Sequence, residues 1–190
     1  MTAPLPADRH PPALSRLAAA GIVAAVLGTS ALLGRRNAPA PDHPGIRRWY
    51  RRLAKPAYTP PDAVFGAVWP ILETGMAMGG YRVLRQPASR DRTTALTLWL
   101  GTSAMIGGWT ELFFRRHALT GSTVAAGAML ASSAGFAATA RRIDRPAAAT
   151  ALPLIAWLGF ATLLSERIRE DNDEEAQPPR TDASDATSPG

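Results

Sequence analysis

The chain has 190 residues, 46% of them hydrophobic but only 7% aromatic, with no cysteine and a formal charge of +6. This length suits one compact domain, and the lack of cysteine excludes disulfides, thiolate nucleophiles and sulfur-ligated metals. The apolar residues are gathered into long blocks, which a mean hydropathy of -0.04 conceals.

Residues 1–11 contain several prolines and no apolar run, and they are expected to form a disordered N-terminus. The first apolar block, 12–34, follows Arg9 and includes Arg16. It reads as a retained membrane helix rather than a signal peptide, because its apolar run extends to Leu33. A long basic loop with scattered prolines comes next, carrying Arg35, Arg36, Arg47, Arg48, Arg51 and Arg52. Four further blocks follow at 63–84, 94–114, 119–140 and 146–164. Each block approaches the roughly 20 residues that a helix needs to cross a hydrocarbon core of about 30 Å. Backbone amides in lipid must be satisfied within their own segment, so such runs are helical.

The expected fold is therefore an all-α membrane protein, a five-transmembrane-helix bundle over residues 12–167 with a long loop between helices 1 and 2. A disordered acidic and polar tail is expected over 168–190. No charged residue occurs between Leu119 and Ala140, so that block lacks the polar face of a surface helix in a soluble bundle. Arginine pairs flanking the apolar runs read as anchors at the lipid headgroups rather than as a nucleic-acid surface. Lys and Arg are comparably frequent on the two sides, so the positive-inside rule leaves the orientation open.

Small residues recur at four-residue spacing, in Gly75 with Gly79 and in Gly127, Ala131 and Gly135. Such stripes allow close backbone approach in lipid, either inside one chain or across a homodimer. Trp69, Glu73 and Met76 share one face of the second span, and Trp157, Phe160, Ala161 and Leu164 share one face of the fifth. Converging aromatic faces would line a pocket for a flat ligand. Trp49 and Trp99 suit the interfacial belt. Glu73 lies inside a span, where a carboxylate costs about 3 kcal/mol and usually faces a cavity or a partner. Glu111 has Arg115 one turn on and is structural.

Three motifs give the chain a likeness to a known family. The first runs Trp49, Tyr50, Leu53, Lys55, Pro56, Tyr58, Pro60, Pro61, Phe65, Val68 and Trp69; the second is Trp109, Phe113 and Phe114. The third runs Asp144, Ala147, Ala148, Pro153, Ala156, Trp157, Phe160, Ala161 and Leu164. Together they resemble the translocator protein family, also called tryptophan-rich sensory protein or peripheral benzodiazepine receptor. The resemblance implies a five-helix bundle with a pocket under the first loop that binds porphyrins and, in some members, isoquinoline-type drugs or sterols. It places ligand contacts at Trp69, Trp109, Trp157, Ala161 and Leu164, with Trp49 and Tyr58 as a lid; the span reading adds Glu73.

Departures from the family pattern fall on polar positions. Tyr58 stands for a tryptophan, Glu73 and Leu154 for tyrosines, and Ile106 and Ser165 for asparagines. The fifth helix also lacks the tyrosine of the cholesterol-type pattern, itself a weak signal. No base, nucleophile or metal cluster is assigned and no cofactor is expected, so the chain reads first as a porphyrin-binding receptor or sensor. Transport of tetrapyrroles or other small hydrophobic molecules is one alternative, for which Pro153 offers a helix break. Porphyrin degradation dependent on light and oxygen is the other.

Overall fold

The computed structural model describes residues 13–175, all of whose regular structure is helical. In chain order the elements are α1 (Arg16–Asn37), α2 (Pro44–Arg52), α3 (Asp62–Leu84) and α4 (Arg90–Thr110). A turn of π-helix at Glu111–Arg115 then leads to α5 (Leu119–Ala140), α6 (Arg145–Ala149) and α7 (Leu152–Glu175).

Local chemistry sets many of the ends. The Ser15 hydroxyl accepts from the Ala18 amide at 3.1 Å and opens α1, Ser89 does the same for Arg92 at the start of α4, and Asp144 caps α6 through Ala147 at 2.8 Å. Pro44 opens α2, where a missing N–H costs nothing. The turn after the π-helix closes on His117, whose φ of 52° is the left-handed conformation usually left to glycine or asparagine.

Three stretches are long and apolar enough to cross a membrane: Arg16–Asn37, Leu119–Ala140 and Arg145–Asp173. Helices α3 and α4 have comparable lengths, 23 and 21 residues. Pro70, Glu73 and several glycines dilute the apolar run of α3, while threonine and serine dilute that of α4. Large apolar side chains nevertheless point outward from all of these helices, including Leu17, Ile71, Leu100, Val124 and Leu163. That is the surface a bilayer solvates.

Some expectations gain detail and others change. The loop between the first two spans contains α2. The last apolar block is broken at Thr150 and Ala151, and Pro153 sits in the first turn of α7, where no intrahelical N–H is required. The tail begins later than residue 168, since α7 continues to Glu175. There Arg169 pairs with Glu166 at 2.7 Å and Asp173 at 2.8 Å, one turn to either side, which supports the helix beyond its apolar part. The disorder expected over 1–11 and over the end of the tail lies outside the described residues.

The core lies among α3, α4, α5 and α7, around Trp99, Phe136, Met76, Met129, Leu154 and Leu158. Trp99 is 1% exposed, so it belongs to this core and not to an interfacial belt. Three of the four α3 glycines, Gly75, Gly79 and Gly80, are consumed inside the chain. A Cβ at Gly79 would stand 2.5 Å from the Thr150 hydroxyl, and one at Gly75 would stand 3.2 Å from the Thr150 carbonyl. By contrast Gly28 and Gly127 have nothing within 4 Å of a Cβ. Hydroxyl groups join α4 to α5, with Thr102 donating to Ser132 at 3.0 Å and Ser132 to the Leu98 carbonyl at 3.1 Å, the kind of polar contact that holds helices together in lipid.

Candidate functional site

In α2 a rotation of about 100° per residue puts Ile46, Trp49 and Tyr50 on one side of the helix and Arg47, Arg48, Arg51 and Arg52 on the other. The apolar side lies on the π-turn. The Trp49 ring stacks on His117 at 4.0 Å and meets Phe113 edge-on at 5.4 Å, while Tyr50 meets Phe114 at 5.6 Å. Trp109 stacks on Phe113 at 4.8 Å. The wider π-turn adds a residue to the helical register, and Phe113 and Phe114 both take part in this one aromatic group.

Tyr50 is further tied to its surroundings. Burial, followed by the charge and acceptor oxygens of Asp62, pushes its phenol up to about 12, so it remains a hydrogen-bond donor at any physiological pH. Lys55 stands over the Tyr50 ring, 4.1 Å from the centroid. Asn172 clamps the segment just after α2: its Nδ2 donates to the Ala54 carbonyl at 3.0 Å and its Oδ1 accepts from the Ala54 amide at 3.2 Å. Two such bonds are worth about 2 kcal/mol together. Asn172→Ala should therefore speed hydrogen exchange of the α2 amides and the Ala54 amide by about 30-fold. Mass spectrometry of the exchanged protein in detergent checks this, and unchanged exchange would show that the clamp is idle.

A second aromatic group is made by α3 and α7. Trp157 meets Phe65 edge-on at 5.7 Å and Phe160 at 5.6 Å. The two groups treat their indoles differently. Trp109 Nε1 donates to the Ser122 carbonyl at 2.9 Å, whereas Trp157 Nε1 is buried without a hydrogen-bond partner. An unpaired N–H withdrawn from water costs roughly 1–3 kcal/mol.

Glu73 belongs to neither group. It lines a cavity between α1, α3 and α4 together with Ser30, Met76, Trp99, Ser103 and Ile106. The accessible volume there is about 10 Å³, room for roughly one water and far too little for a tetrapyrrole. Ser30, 8% exposed, has a buried hydroxyl without a partner beside this carboxyl.

The residues singled out from sequence are thus divided. Trp49 and Trp109 are in the α2 group, and Trp157 is in the α7 group. Trp69 is partly buried against the core, and Tyr58 is 57% exposed. Leu164 is buried and Ala161 half-buried on α7. Phe65, Phe160, Phe113 and Phe114 complete the aromatic groups, and all four were legible in the motifs. Asn172 and Ser30 were not, because a single asparagine or serine carries no spacing signal.

Comparison with known proteins follows the same lines. Residues 19–170 match the model of the TspO/MBR family. The chain is 32% identical over 130 residues to the Translocator protein of Ovis aries, an alignment covering 66% of this chain and 75% of the relative. Against the Translocator protein of Homo sapiens it is 32% identical over 129 residues, with the same coverage. The Tryptophan-rich protein TspO of Chlorobaculum tepidum is 25% identical over 125 residues, covering 65% of this chain and 79% of the relative.

Proposed function

This chain belongs to the TspO/MBR family of membrane proteins, and from that premise we propose that it is a five-span receptor that binds a porphyrin against its tryptophans. The five spans are α1, α3, α4, α5 and the broken pair α6 and α7. Support for counting α3 and α4 comes from their length and from outward-facing Ile71, Met78 and Leu100. Support for a flat ligand comes from the clustered rings of α2, α4 and α7, whose faces offer stacking area to a conjugated macrocycle.

The observation that carries the proposal is the difference between the two indoles. Trp109 has its hydrogen bond within the protein, so its ring is fixed as part of the scaffold. Trp157 holds a buried donor in reserve beside Phe65 and Phe160, and a porphyrin carboxylate is an acceptor that would satisfy it while the macrocycle stacks on the rings. A hydrogen bond to a charged group is worth about 1.5–3 kcal/mol, so its loss weakens binding by roughly tenfold or more. Arg47, Arg48, Arg51, Arg52 and the other basic side chains near α2 add long-range attraction for an acidic ligand.

Titration of protoporphyrin into the detergent-solubilised protein tests this. Saturable quenching of tryptophan fluorescence is expected, with the midpoint shifted at least tenfold upward in Trp157→Phe and unshifted in Trp99→Phe. Equal midpoints for Trp157→Phe and the parent protein would remove Trp157 from the site, and quenching that never saturates would remove the site. Flux of porphyrin across liposomes would move the reading from receptor to transporter. Loss of porphyrin absorbance under light and oxygen would move it to a degrading enzyme.

A further inference from the structure

We propose that the outer face of α2 is a docking surface for anionic phospholipid headgroups, held at the membrane boundary by the aromatic inner face of the same helix. Tyr50 is buried and Ile46 and Trp49 are half-buried, while Arg47, Arg48, Arg51 and Arg52 are all exposed. Among the described residues none of these four arginines takes part in a salt bridge or donates a side-chain hydrogen bond; the carboxylates ion-paired at this end are taken by Arg115, Arg116, Arg167 and Arg169. An apolar inner side with a wholly cationic outer side is the pattern of a helix lying in the headgroup plane. Here the inner side is fixed on the protein's own rings, so the cations stand at a set height and orientation.

The position in the chain is consistent with this. Six residues separate α1 from α2, and Arg35 and Arg36 close α1. Arg115 donates to the Arg36 carbonyl at 3.2 Å, which gathers the arginines of α1 and the π-turn beside α2. At the opposite end of the bundle four of the arginines are engaged. Arg82 is held by Asp144, Arg85 by the Leu14 carbonyl, Arg92 by the Val83 and Leu84 carbonyls, and Arg142 by Asp91. Among the described residues Arg16, Arg90, Arg141 and Arg145 at that end have no side-chain partner, against Arg35, Arg36 and the four arginines of α2 at this end, so the free guanidinium groups stand six to four. Guanidinium forks match phosphate oxygens bidentately, and a negatively charged leaflet attracts juxtamembrane cations over about a Debye length. The partner of matching chemistry is the phosphodiester of an anionic lipid, and the end bearing α2 then faces the anionic leaflet. This inference rests on membrane residence and is independent of porphyrin binding.

The test uses the full chain in nanodiscs of phosphatidylcholine containing a minority of phosphatidylglycerol. Native mass spectrometry of the released protein counts the lipids it retains. Retention of phosphatidylglycerol over phosphatidylcholine is expected, falling as salt is raised. Replacing the four α2 arginines by glutamine should lower that preference at least tenfold, and replacing them by lysine should keep most of it, which separates lost charge from lost fold. Glutamine at Arg90, Arg141 and Arg145, at the other end, should leave it intact. The proposal fails if the α2 glutamine variant retains the preference, if the lysine variant loses it as fully as glutamine, or if both ends contribute equally. It also fails if millimolar inorganic phosphate alone displaces the lipid, since the surface would then be a free-anion site.

Discussion

Gly80→Ala is expected to destabilise the protein by about 2 kcal/mol, although alanine is the better helix former. A Cβ at this position would overlap Trp99 Cε2 and stand 2.5 Å from Trp99 Nε1, well inside contact distance. The indole cannot swing clear, because Trp99 is 1% exposed and packed in the core with Met76, Phe136 and Leu154. Overpacking of this kind costs up to about 3 kcal/mol, and the propensity gain returns roughly 1 kcal/mol. Thermal unfolding followed by circular dichroism in detergent measures the balance. Gly127→Ala, where a Cβ meets nothing within 4 Å, serves as the contrast and should be neutral or slightly stabilising. Trp99→Phe should restore much of the loss when combined with Gly80→Ala, since a smaller ring vacates the overlap and residues in contact are non-additive. If Gly80→Ala melted with the parent protein, the close approach of α3 to Trp99 would not be a feature of the folded state.

Asp144→Ala should be at least as damaging, at about 3 kcal/mol, because one carboxylate holds three elements. Its oxygens accept from Arg82 Nε at 2.9 Å, Arg82 Nη2 at 3.1 Å, Gln86 Nε2 at 2.8 Å and the Ala147 amide at 2.8 Å. The Asp144 side chain is 8% exposed while that of Arg82 is 40% exposed. The effect therefore falls short of the 3–5 kcal/mol plus a cap expected for two fully buried charges. Burial alone would push the Asp144 carboxyl up. The hydrogen bonds from Arg82 and Ala147, the Arg82 charge and the Gln86 amide outweigh it, and the carboxyl is held below its ordinary value. A carboxyl lowered by folding adds stability that is complete above the ordinary carboxylate pKa, near 4. That stability is lost as pH falls through the lower folded-state value. The melting temperature of the parent protein should thus drop on acidification, and Asp144→Asn, which keeps the helix cap but not the charge, should flatten that part of the profile. An identical acid profile in Asp144→Asn would place the pH sensitivity elsewhere.

What could be read from the sequence depended on whether the signal was periodic. Helix Leu119–Ala140 was legible because its run carries no charge and basic residues stand at both ends, and the aromatic groups were legible because their members recur at helical spacing. Membership of the family was carried by the same motifs. The burial of Trp99 was not legible. Tryptophan near the start of an apolar block suggests the membrane interface, but α4 begins earlier, at Arg90, which puts Trp99 in mid-helix. The absence of a side chain at Gly80 across the helix contact gives the ring its place inside. The separation of Glu73 from Trp49, Trp109 and Trp157 has a similar origin. One helical turn keeps Glu73 near the Trp69 face, but whether that face meets α1 or α7 depends on the packing of whole helices. Asn172 was missed because it lies beyond the apolar run, where composition suggested a solvated tail.

The π-turn at Glu111–Arg115 bears on how such a protein diversifies. A helix with one surplus residue can lose that residue and close into ordinary α-helix without breaking its backbone ladder. Such a deletion would turn the residues between it and the break at His117 by about a quarter revolution, carrying Phe113 and Phe114 away from Trp49 and Tyr50. Losing one residue at this junction would therefore rearrange the aromatic cap, with the turn at His117 lying between the change and the packed helix α5.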